Sequence, residues 1–188
     1  MKYNSLARIA ASSVLALALG ASLAGCGGAS EGAQPQQAEE QQATKTLASV
    51  DATVYDAAGN KLLLSEIAGG KPLVINLWTS WCPNCVAEMP EFLKICQKYQ
   101  DRVAFAFLDV ADGEDENPEF ITGWLEEYGL ADLPVYYDTD LAASQSLGLQ
   151  AYPTTVVFDA NGQQVDYQVG TIDPDAFSGM LNTLVSAS

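Results

Sequence analysis

Asn76-Leu-Trp-Thr-Ser-Trp-Cys-Pro-Asn-Cys85 joins the end of an apolar run, residues 72–78, to a stretch with helical periodicity. An apolar run of this length predicts a strand that is buried on both faces. Two cysteines separated by two residues at the start of a helix can form a disulfide, and the positive end of the helix stabilises the thiolate of the first cysteine. We therefore predict that Cys82 is a nucleophile and that Cys85, one turn further along, is a more buried resolving thiol.

The same cysteine spacing also occurs in structural zinc sites, where each pair supplies two of the four ligands. The chain contains no histidine, and its two other cysteines are Cys26 and Cys96. This inventory favours redox chemistry over metal binding, so we expect neither a metal nor another cofactor. It also argues against Cys-His proteases and against copper sites that need an imidazole ligand.

Cys96 does not fit a simple two-cysteine site. It follows Cys85 by three helical turns, which is about 16 Å along the helix axis and well beyond the reach of a disulfide. A buried free thiol is the simplest interpretation. Pairing with an external partner and regulatory oxidation are the alternatives.

The beginning of the chain has the pattern of a secretory signal. Lys2 and Arg8 precede an apolar segment at residues 9–19, and Leu-Ala-Gly-Cys26 follows, which resembles a bacterial lipobox. We predict a lipoprotein signal peptide over residues 1–25 and a lipid on Cys26, which would hold the protein on the extracytoplasmic face of the cell membrane. An ordinary secretory signal or a short transmembrane helix is the alternative, but the apolar segment is shorter than the usual span of about 20 residues.

Residues 26–46 are predicted to be the lipidated cysteine followed by a disordered linker, because Gly27 to Thr44 contain no aromatic or large aliphatic residue. Residues 47–188 remain for one folded domain. The formal net charge of −16 excludes nucleic acid as a partner, since such binding needs clustered Lys and Arg. The acidic residues between Asp109 and Glu116 do not have the spacing of an EF-hand, and we interpret them as a solvated loop.

Predicted strands and helices alternate along this domain. A hairpin turn at residues 58–60 separates two short strands, and Asp173-Pro174 has the pattern of a helix start. The alternation predicts an α/β fold, with a central mixed β-sheet and helices on both faces. The predicted strands are 53–55, 62–64, 73–78, 103–108, 135–137, 154–158 and 164–169, and the predicted helices are 82–99, 118–128, 141–147 and 173–185.

Three separate motifs now make the pattern recognisable. They are Asn76 to Cys82, Cys85-Val-Ala-Glu-Met-Pro90, and Tyr152-Pro-Thr-Thr155 followed by Phe158-Asp and Asn161-Gly162. With them, residues 47–188 resemble the thioredoxin fold, specifically the TlpA/ResA-like family of membrane-tethered extracytoplasmic thiol-disulfide oxidoreductases. The N-terminal β-hairpin and the inserted helix at 118–128 fit the additions that this family makes to a minimal thioredoxin.

The resemblance implies roles for individual residues. It makes Cys82 the nucleophile, Cys85 the resolving thiol and Pro153 a cis-proline that faces them. A cis bond at Tyr152-Pro153 would turn the backbone of Tyr152 toward an extended substrate segment. The side chain of Tyr152, together with Trp81 and Thr154, is then expected to shape the substrate groove.

Proton transfer needs a separate group. Ordinary thioredoxins carry a buried aspartate six residues before the nucleophile, whereas this chain has Asn76, which cannot accept a proton. Glu88 matches the acidic residue that the family carries near its thiols, so we predict that it takes the proton of Cys85. A surface position for Glu88 is the alternative. Trp78 and Trp124 are expected to belong to the core.

Three activities are compatible with these residues. The resemblance favours a monomeric reductase for disulfides of exported proteins, with apocytochrome c among its clients and a membrane thiol-disulfide electron donor. A disulfide-forming oxidase or isomerase is the second. A thiol peroxidase is the third, because Thr79-Ser-Trp-Cys82 is similar to the Thr-x-x-Cys motif of peroxiredoxins, but Asn76 stands where that motif has a proline. An inert dithiol would instead indicate a binding lipoprotein.

Overall fold

A computed structural model describes residues 45–111 and 116–186. Within these residues, seven strands form one sheet in the order β2-β1-β5-β4-β3-β6-β7. Strands β3, β4 and β5 are parallel, and the other pairings are antiparallel. The strands are β1 Thr53–Tyr55, β2 Lys61–Leu63, β3 Leu73–Trp78, β4 Ala104–Asp109, β5 Val135–Tyr137, β6 Thr154–Phe158 and β7 Gln164–Val169.

Helices cover both faces of this sheet. The buried side chains of α3, α4 and α6 share one core with Phe107, while those of α1, α2 and α5 share the other with Leu108. This arrangement confirms the predicted thioredoxin-like fold. The helices are α1 Leu47–Val50, α2 Leu64–Ala68, α3 Pro83–Tyr99, α4 Pro118–Glu127, α5 Ala142–Leu147 and α6 Pro174–Ser186.

Strand β3 lies at the centre and leads into the cysteine pair. All six of its residues are buried, and it pairs with β4 on one side and β6 on the other. Because side chains alternate along a strand, Val74 and Trp78 point into the core shared with α3, whereas Ile75 points into the opposite core. Burial on both faces explains why this segment shows a continuous apolar run.

The predicted N-terminal hairpin is present as β1 and β2, but two short helices beside it were missed. The sequence predicted Leu64 in a strand, whereas Leu64 begins α2. The carboxylate of Glu66 accepts a hydrogen bond from the N–H of Leu63 at 2.7 Å, and that of Asp51 accepts from the N–H of Ser65 at 3.0 Å. These local side-chain contacts favour a helix start that hydrophobic periodicity does not reveal in so short a segment.

The first described residues run beside the β6–β7 hairpin. The N–H of Gln164 donates to the carbonyl of Lys45 at 2.9 Å, and the N–H of Leu47 donates to the carbonyl of Gly162 at 2.7 Å. This places the entry of the chain at the end of β6 that is remote from Pro153. The predicted signal peptide 1–25, Cys26 and the linker up to residue 44 lie outside the described residues. Among the residues described, no helix is long and apolar enough to cross a bilayer.

Candidate active site

The two cysteines of the C-x-x-C motif form a disulfide at the start of α3. The Sγ atoms of Cys82 and Cys85 are 2.10 Å apart, and their Cα atoms are 5.3 Å apart. Cys82 is the N-cap residue of α3, and its Sγ accepts a hydrogen bond from the N–H of Cys85 at 3.2 Å. A sulfur in this position receives the partial positive charge of the helix terminus, which favours its thiolate once the disulfide is reduced.

Both sulfur-bearing residues are covered in the oxidised form. Cys82 is 5 % exposed and Cys85 is 1 % exposed. The expectation that Cys85 is the more buried of the two agrees with these values, and Cys82 is itself buried. Cys82 belongs to the buried cluster against which the Tyr152 ring packs, and a tertiary contact of this kind cannot be read from helix position.

The proline loop lies beside the cysteine pair. The Tyr152–Pro153 peptide bond is cis, as the resemblance implied. The next residue, Thr154, pairs with Leu77 on β3, which places the loop next to the end of β3 that leads into Cys82. The carbonyl of Pro153 accepts a hydrogen bond from the N–H of Gly170 at 2.8 Å, so the loop is also attached to the end of β7.

Trp81 and Tyr152 come from different loops and meet beside the disulfide. Their rings are in edge-to-face contact, with centroids 5.4 Å apart. Trp81 is 57 % exposed, whereas Tyr152 is half-buried. Such a pair presents aromatic surface next to the dithiol, and it brings together two of the three residues predicted to contact substrate.

Thr154 behaves differently from the other two. Its side chain is fully buried, and its hydroxyl donates to the carbonyl of Ala151 at 2.7 Å. The hydroxyl therefore holds the proline loop in place and is not presented to a substrate. Sequence position alone did not distinguish this internal role from the predicted contact.

Glu88 lies inside the protein, on the first half of α3. It is 8 % exposed, and its Oε2 accepts a hydrogen bond from the N–H of Ile172 at 3.2 Å. Burial raises the pKa of this carboxyl from 4.5 to about 7, although the hydrogen bonds from Ile172 and Asn76 partly oppose the rise. A carboxyl with a pKa near neutrality can both accept and return a proton under physiological conditions.

Asn76 is a second polar group in the same buried region, and the sequence interpretation missed its contact with Glu88. Its Nδ2 donates to Oε1 of Glu88 at 3.2 Å and to the hydroxyl of Thr155 at 3.1 Å. A signal was available in the sequence, because an asparagine in the middle of a buried apolar strand needs hydrogen-bond partners.

Comparison with known proteins agrees with this geometry. Residues 39–184 match the Redoxin family. The chain belongs to the Redoxin family. It is 30% identical over 127 residues to the thiol:disulfide interchange protein DsbE of Allochromatium vinosum, which covers 68% of this chain and 67% of the relative. It is 28% identical over 132 residues to the thiol-disulfide oxidoreductase ResA of Bacillus anthracis, which covers 70% of this chain and 73% of the relative.

Solved structures give the same fold for this Redoxin chain. The exposed lipoprotein thioredoxin Etrx1 from Streptococcus pneumoniae matches with a TM-score of 0.62 at 24% identity, over 71% of this chain and 99% of that one. A thiol:disulfide interchange protein from Chlorobium tepidum matches with a TM-score of 0.60 at 18% identity, over 72% and 93%. These structures support the fold, whereas the family match, the relatives and the C-x-x-C pair make the chain a thiol-disulfide oxidoreductase of the DsbE/ResA type.

A contact between the active-site loop and the start of α4 was not predicted. The N–H and the hydroxyl of Ser80 both donate to Oε1 of Glu116, at 3.1 and 2.6 Å. Glu116 is 4 % exposed and Asp109 is fully buried, so the interpretation of this acidic segment as a solvated loop was wrong at both of its ends. The physical reason is that Glu116 supplies an acceptor for two donors of a tight loop, a pairing that only the tertiary structure creates.

Cys96 is a buried free thiol, as the simplest interpretation held. Burial raises the pKa of its thiol to about 12, which keeps it protonated and unreactive at neutral pH.

Trp78 is fully buried and Trp124 is half-buried, and their rings are 5.7 Å apart. Within the described part of the chain, no three His, Cys, Asp or Glu side chains are grouped so that they could hold a metal ion.

Proposed function

We propose that this protein reduces disulfides of exported proteins from the extracytoplasmic face of the cell membrane, to which a lipid on Cys26 attaches it. The observation that carries the proposal is the Cys82–Cys85 pair at the N-terminus of α3, with the buried carboxylate of Glu88 on the same helix. This combination supplies a nucleophile, a resolving thiol and a proton acceptor.

In the first step, the thiolate of Cys82 attacks one sulfur of the client disulfide. A mixed disulfide forms between Cys82 and the client, and the other client sulfur leaves as a thiolate. The N–H of Cys85, which lies 3.2 Å from Cys82 Sγ in the oxidised form, is placed to stabilise the attacking thiolate. The client segment is held beside the Trp81–Tyr152 pair and the backbone of the cis-proline loop.

In the second step, Cys85 attacks the sulfur of Cys82 and releases the second client sulfur as a thiolate. Cys85 must first lose its proton, and we assign that proton to Glu88, because Asn76 has no group that can accept it. The client gains two electrons and the enzyme disulfide forms. A membrane thiol-disulfide donor then returns two electrons to Cys82 and Cys85.

Electrostatics favour the reducing direction. Strong oxidants of this class have an over-stabilised thiolate, and their potentials lie near about −120 mV, whereas thioredoxin lies near about −270 mV. Here the helix terminus stabilises the Cys82 thiolate, but the chain has no histidine to add to that effect. The buried carboxyl of Glu88 opposes it when it is ionised.

The position of the chain entry suits a tether. Lys45 lies beside Gln164, at the end of the sheet opposite the cis-proline loop, so a chain anchored at Cys26 through residues 27–44 would let the dithiol point away from the membrane. A flexible linker of this length has a root-mean-square reach of roughly 25 Å. In this proposal residues 1–25 are removed as the signal peptide and residues 47–188 act as a monomeric thioredoxin-like domain.

Exported proteins with cysteines or disulfides are the proposed clients, and apocytochrome c is one client that this chemistry would serve. Nucleic acid is not a partner in this proposal, because the net charge of −16 repels it. The tether brings the dithiol within reach of both membrane-bound and freely exported substrates.

The reduction potential of the Cys82–Cys85 pair tests the direction. We expect a value below about −220 mV and a protein that is reduced in cells with a functioning membrane thiol donor. A Cys85→Ser variant should accumulate mixed disulfides through Cys82 with exported cysteine proteins, and the Cys82→Ser/Cys85→Ser variant is the control that should trap none. A potential near that of the strong oxidants would instead favour the oxidase. The oxidase would be established if the protein were also oxidised in cells and restored disulfide formation where another oxidase is missing.

A further inference from the structure

A row of aromatic side chains runs along the outer face of α4. Phe120, Trp124 and Tyr128 follow one another at four-residue steps, so they share one side of the helix. Phe120 is 44 % exposed, Tyr128 is 56 % exposed, and Trp124 is half-buried between them. We call these three residues the α4 aromatic row. Large apolar groups grouped in this way on a surface are a common feature of binding sites.

Trp124 and Tyr128 of this row are held in place by ring contacts. The opposite side of α4 buries Ile121 and Leu125 in the core. The ring of Trp124 stacks on that of Tyr128, with centroids 4.5 Å apart, and also contacts Trp78 at 5.7 Å. Rigid aromatic side chains lose little conformational entropy when a partner binds, which makes them effective contact residues.

Negative charge surrounds the row. Glu119, Glu126 and Glu127 are exposed on the same helix. Within the described part of the chain, the ion pair found is Lys94–Glu91, and none of these three carboxylates takes part in one. The surface therefore combines exposed aromatic rings with uncompensated negative charge.

The row is also connected to the active site. Trp78 is the last residue of β3, immediately before the loop that leads to Cys82. At the start of α4, Glu116 accepts two hydrogen bonds from Ser80 in that loop. The start of α4 is therefore attached directly to the loop that precedes Cys82.

We propose that the α4 aromatic row docks a segment of the client polypeptide that carries lysine or arginine together with apolar side chains. Lysine and arginine bind favourably over aromatic rings and beside carboxylates, whereas the apolar side chains cover the exposed parts of Phe120 and Tyr128. A second copy of this chain is a poor occupant, because it would place Glu126 and Glu127 against their own equivalents. The proposal rests on the reductase function in that the docked segment belongs to a substrate.

Binding can be tested apart from redox chemistry. The full chain carrying Cys82→Ser and Cys85→Ser is titrated with two cysteine-free peptides of equal length, one containing lysine and leucine and the other glutamate and leucine, and tryptophan fluorescence is recorded. We expect the lysine peptide to bind at least about tenfold more tightly at low salt, with weaker binding at 0.5 M NaCl. Adding Tyr128→Gln or Phe120→Gln should reduce the affinity about fivefold or more.

Val165→Gln is the matched control, because Val165 is 50 % exposed on β7, away from α4. This variant should bind the lysine peptide with the same affinity as the protein that carries only the two cysteine substitutions. Equal binding of both peptides, or equal losses in the Val165 and Tyr128 variants, would overturn the proposal. A dimer that Tyr128→Gln dissociates in sedimentation would also overturn it, in favour of a second copy.

A kinetic test uses the active enzyme. The rate of reduction of a lysine-peptide disulfide, divided by the rate for glutathione disulfide, should be lower in Tyr128→Gln than in the unmodified enzyme. If the unmodified enzyme reduced neither disulfide, the reductase function would be contradicted. The peptide titration of the cysteine-free site would still decide the docking proposal.

Discussion

The amide of Asn76 donates a hydrogen bond to the carboxyl of Glu88, with 3.2 Å between Nδ2 and Oε1. The two residues lie on different elements, β3 and α3, and both are buried. Thioredoxins place a carboxyl on the strand at this point, whereas here the strand carries the amide and the helix carries the carboxyl. The exchange keeps one titratable group inside the site and gives it a fixed neutral partner.

Glu88→Gln should change the pH dependence of turnover. The carboxyl accepts the Cys85 proton only when it is ionised, and its pKa is about 7, so the rate of the enzyme should rise with pH through that region. The variant should lose this rise and turn over at least about tenfold more slowly at pH 8. Stopped-flow rates between pH 5 and 9 measure the effect, and an unaltered profile would assign Glu88 a structural role.

The same carboxyl should make stability fall as pH rises. Its pKa is 4.5 in the unfolded chain and about 7 in the folded protein, so folding favours the protonated form. The contribution of Glu88 to the free energy of unfolding is fully present below about pH 4.5 and is lost as the pH rises through 7. Its size is about 2 kcal/mol after allowance for partial solvation. Urea unfolding at pH 5 and pH 8 should show a smaller difference in Glu88→Gln than in the unmodified protein.

Asn76→Asp should couple two carboxyls. Two acids at hydrogen-bond distance share one proton, so ionisation of the second is displaced to higher pH. The midpoint of the turnover profile should therefore move upward by about one pH unit or more. Asn76→Ser, which removes the amide and adds no charge, is the control, and an equal displacement in that variant would contradict the explanation.

Alkylation should distinguish the three cysteines of the folded domain. In the reduced protein, Cys82 lies at the positive end of α3 and should react first. The thiol of Cys96 has a pKa raised by burial to about 12, and it should react at least about a hundredfold more slowly until the protein unfolds. Peptide mapping after brief iodoacetamide treatment measures the order, and faster labelling of Cys85 or Cys96 would reverse the assignment of the nucleophile.

Glu116→Ala should weaken the active-site loop. It removes the acceptor of the Ser80 N–H and hydroxyl, and an unsatisfied buried donor costs about 1 to 3 kcal/mol. Glu116→Gln retains an acceptor oxygen and should lose less stability. Chemical denaturation of both variants provides the test, and equal losses would show that the charge of Glu116, rather than its hydrogen bonds, stabilises the loop.

Cys26→Ser should abolish lipid attachment. If Cys26 carries the lipid, the variant should remain unprocessed or enter the soluble fraction, since attachment depends on the acyl chains. Fractionation and mass measurement of the N-terminus follow the outcome. Unchanged processing and retention would exclude the lipid anchor.

Local patterns were enough to predict much of the fold. The apolar run of β3, the C-x-x-C pair at the start of α3 and the Tyr152-Pro153 motif each depend on residues close together in the chain. The short helices α1 and α2 were missed because their starts depend on individual side-chain contacts, such as the hydrogen bonds that Ser65 donates to the carboxylate of Asp51, rather than on periodicity. An element whose pattern lies in neighbouring residues can thus be predicted from the sequence, whereas an element that depends on single contacts with other segments cannot.

The sequence by itself determined the dithiol, the order of the strands and of helices α3 to α6, and the surplus of negative charge, because each is a property of residue type and short spacing. Only the tertiary structure decided the surroundings of those groups. It paired Glu88 with Asn76 and Ile172, attached Ser80 to Glu116, covered Cys82 and committed the Thr154 hydroxyl to its own loop. The physical reason is that burial and hydrogen-bond partners, which set pKa values and side-chain roles, come from segments far apart in the chain that meet only after folding.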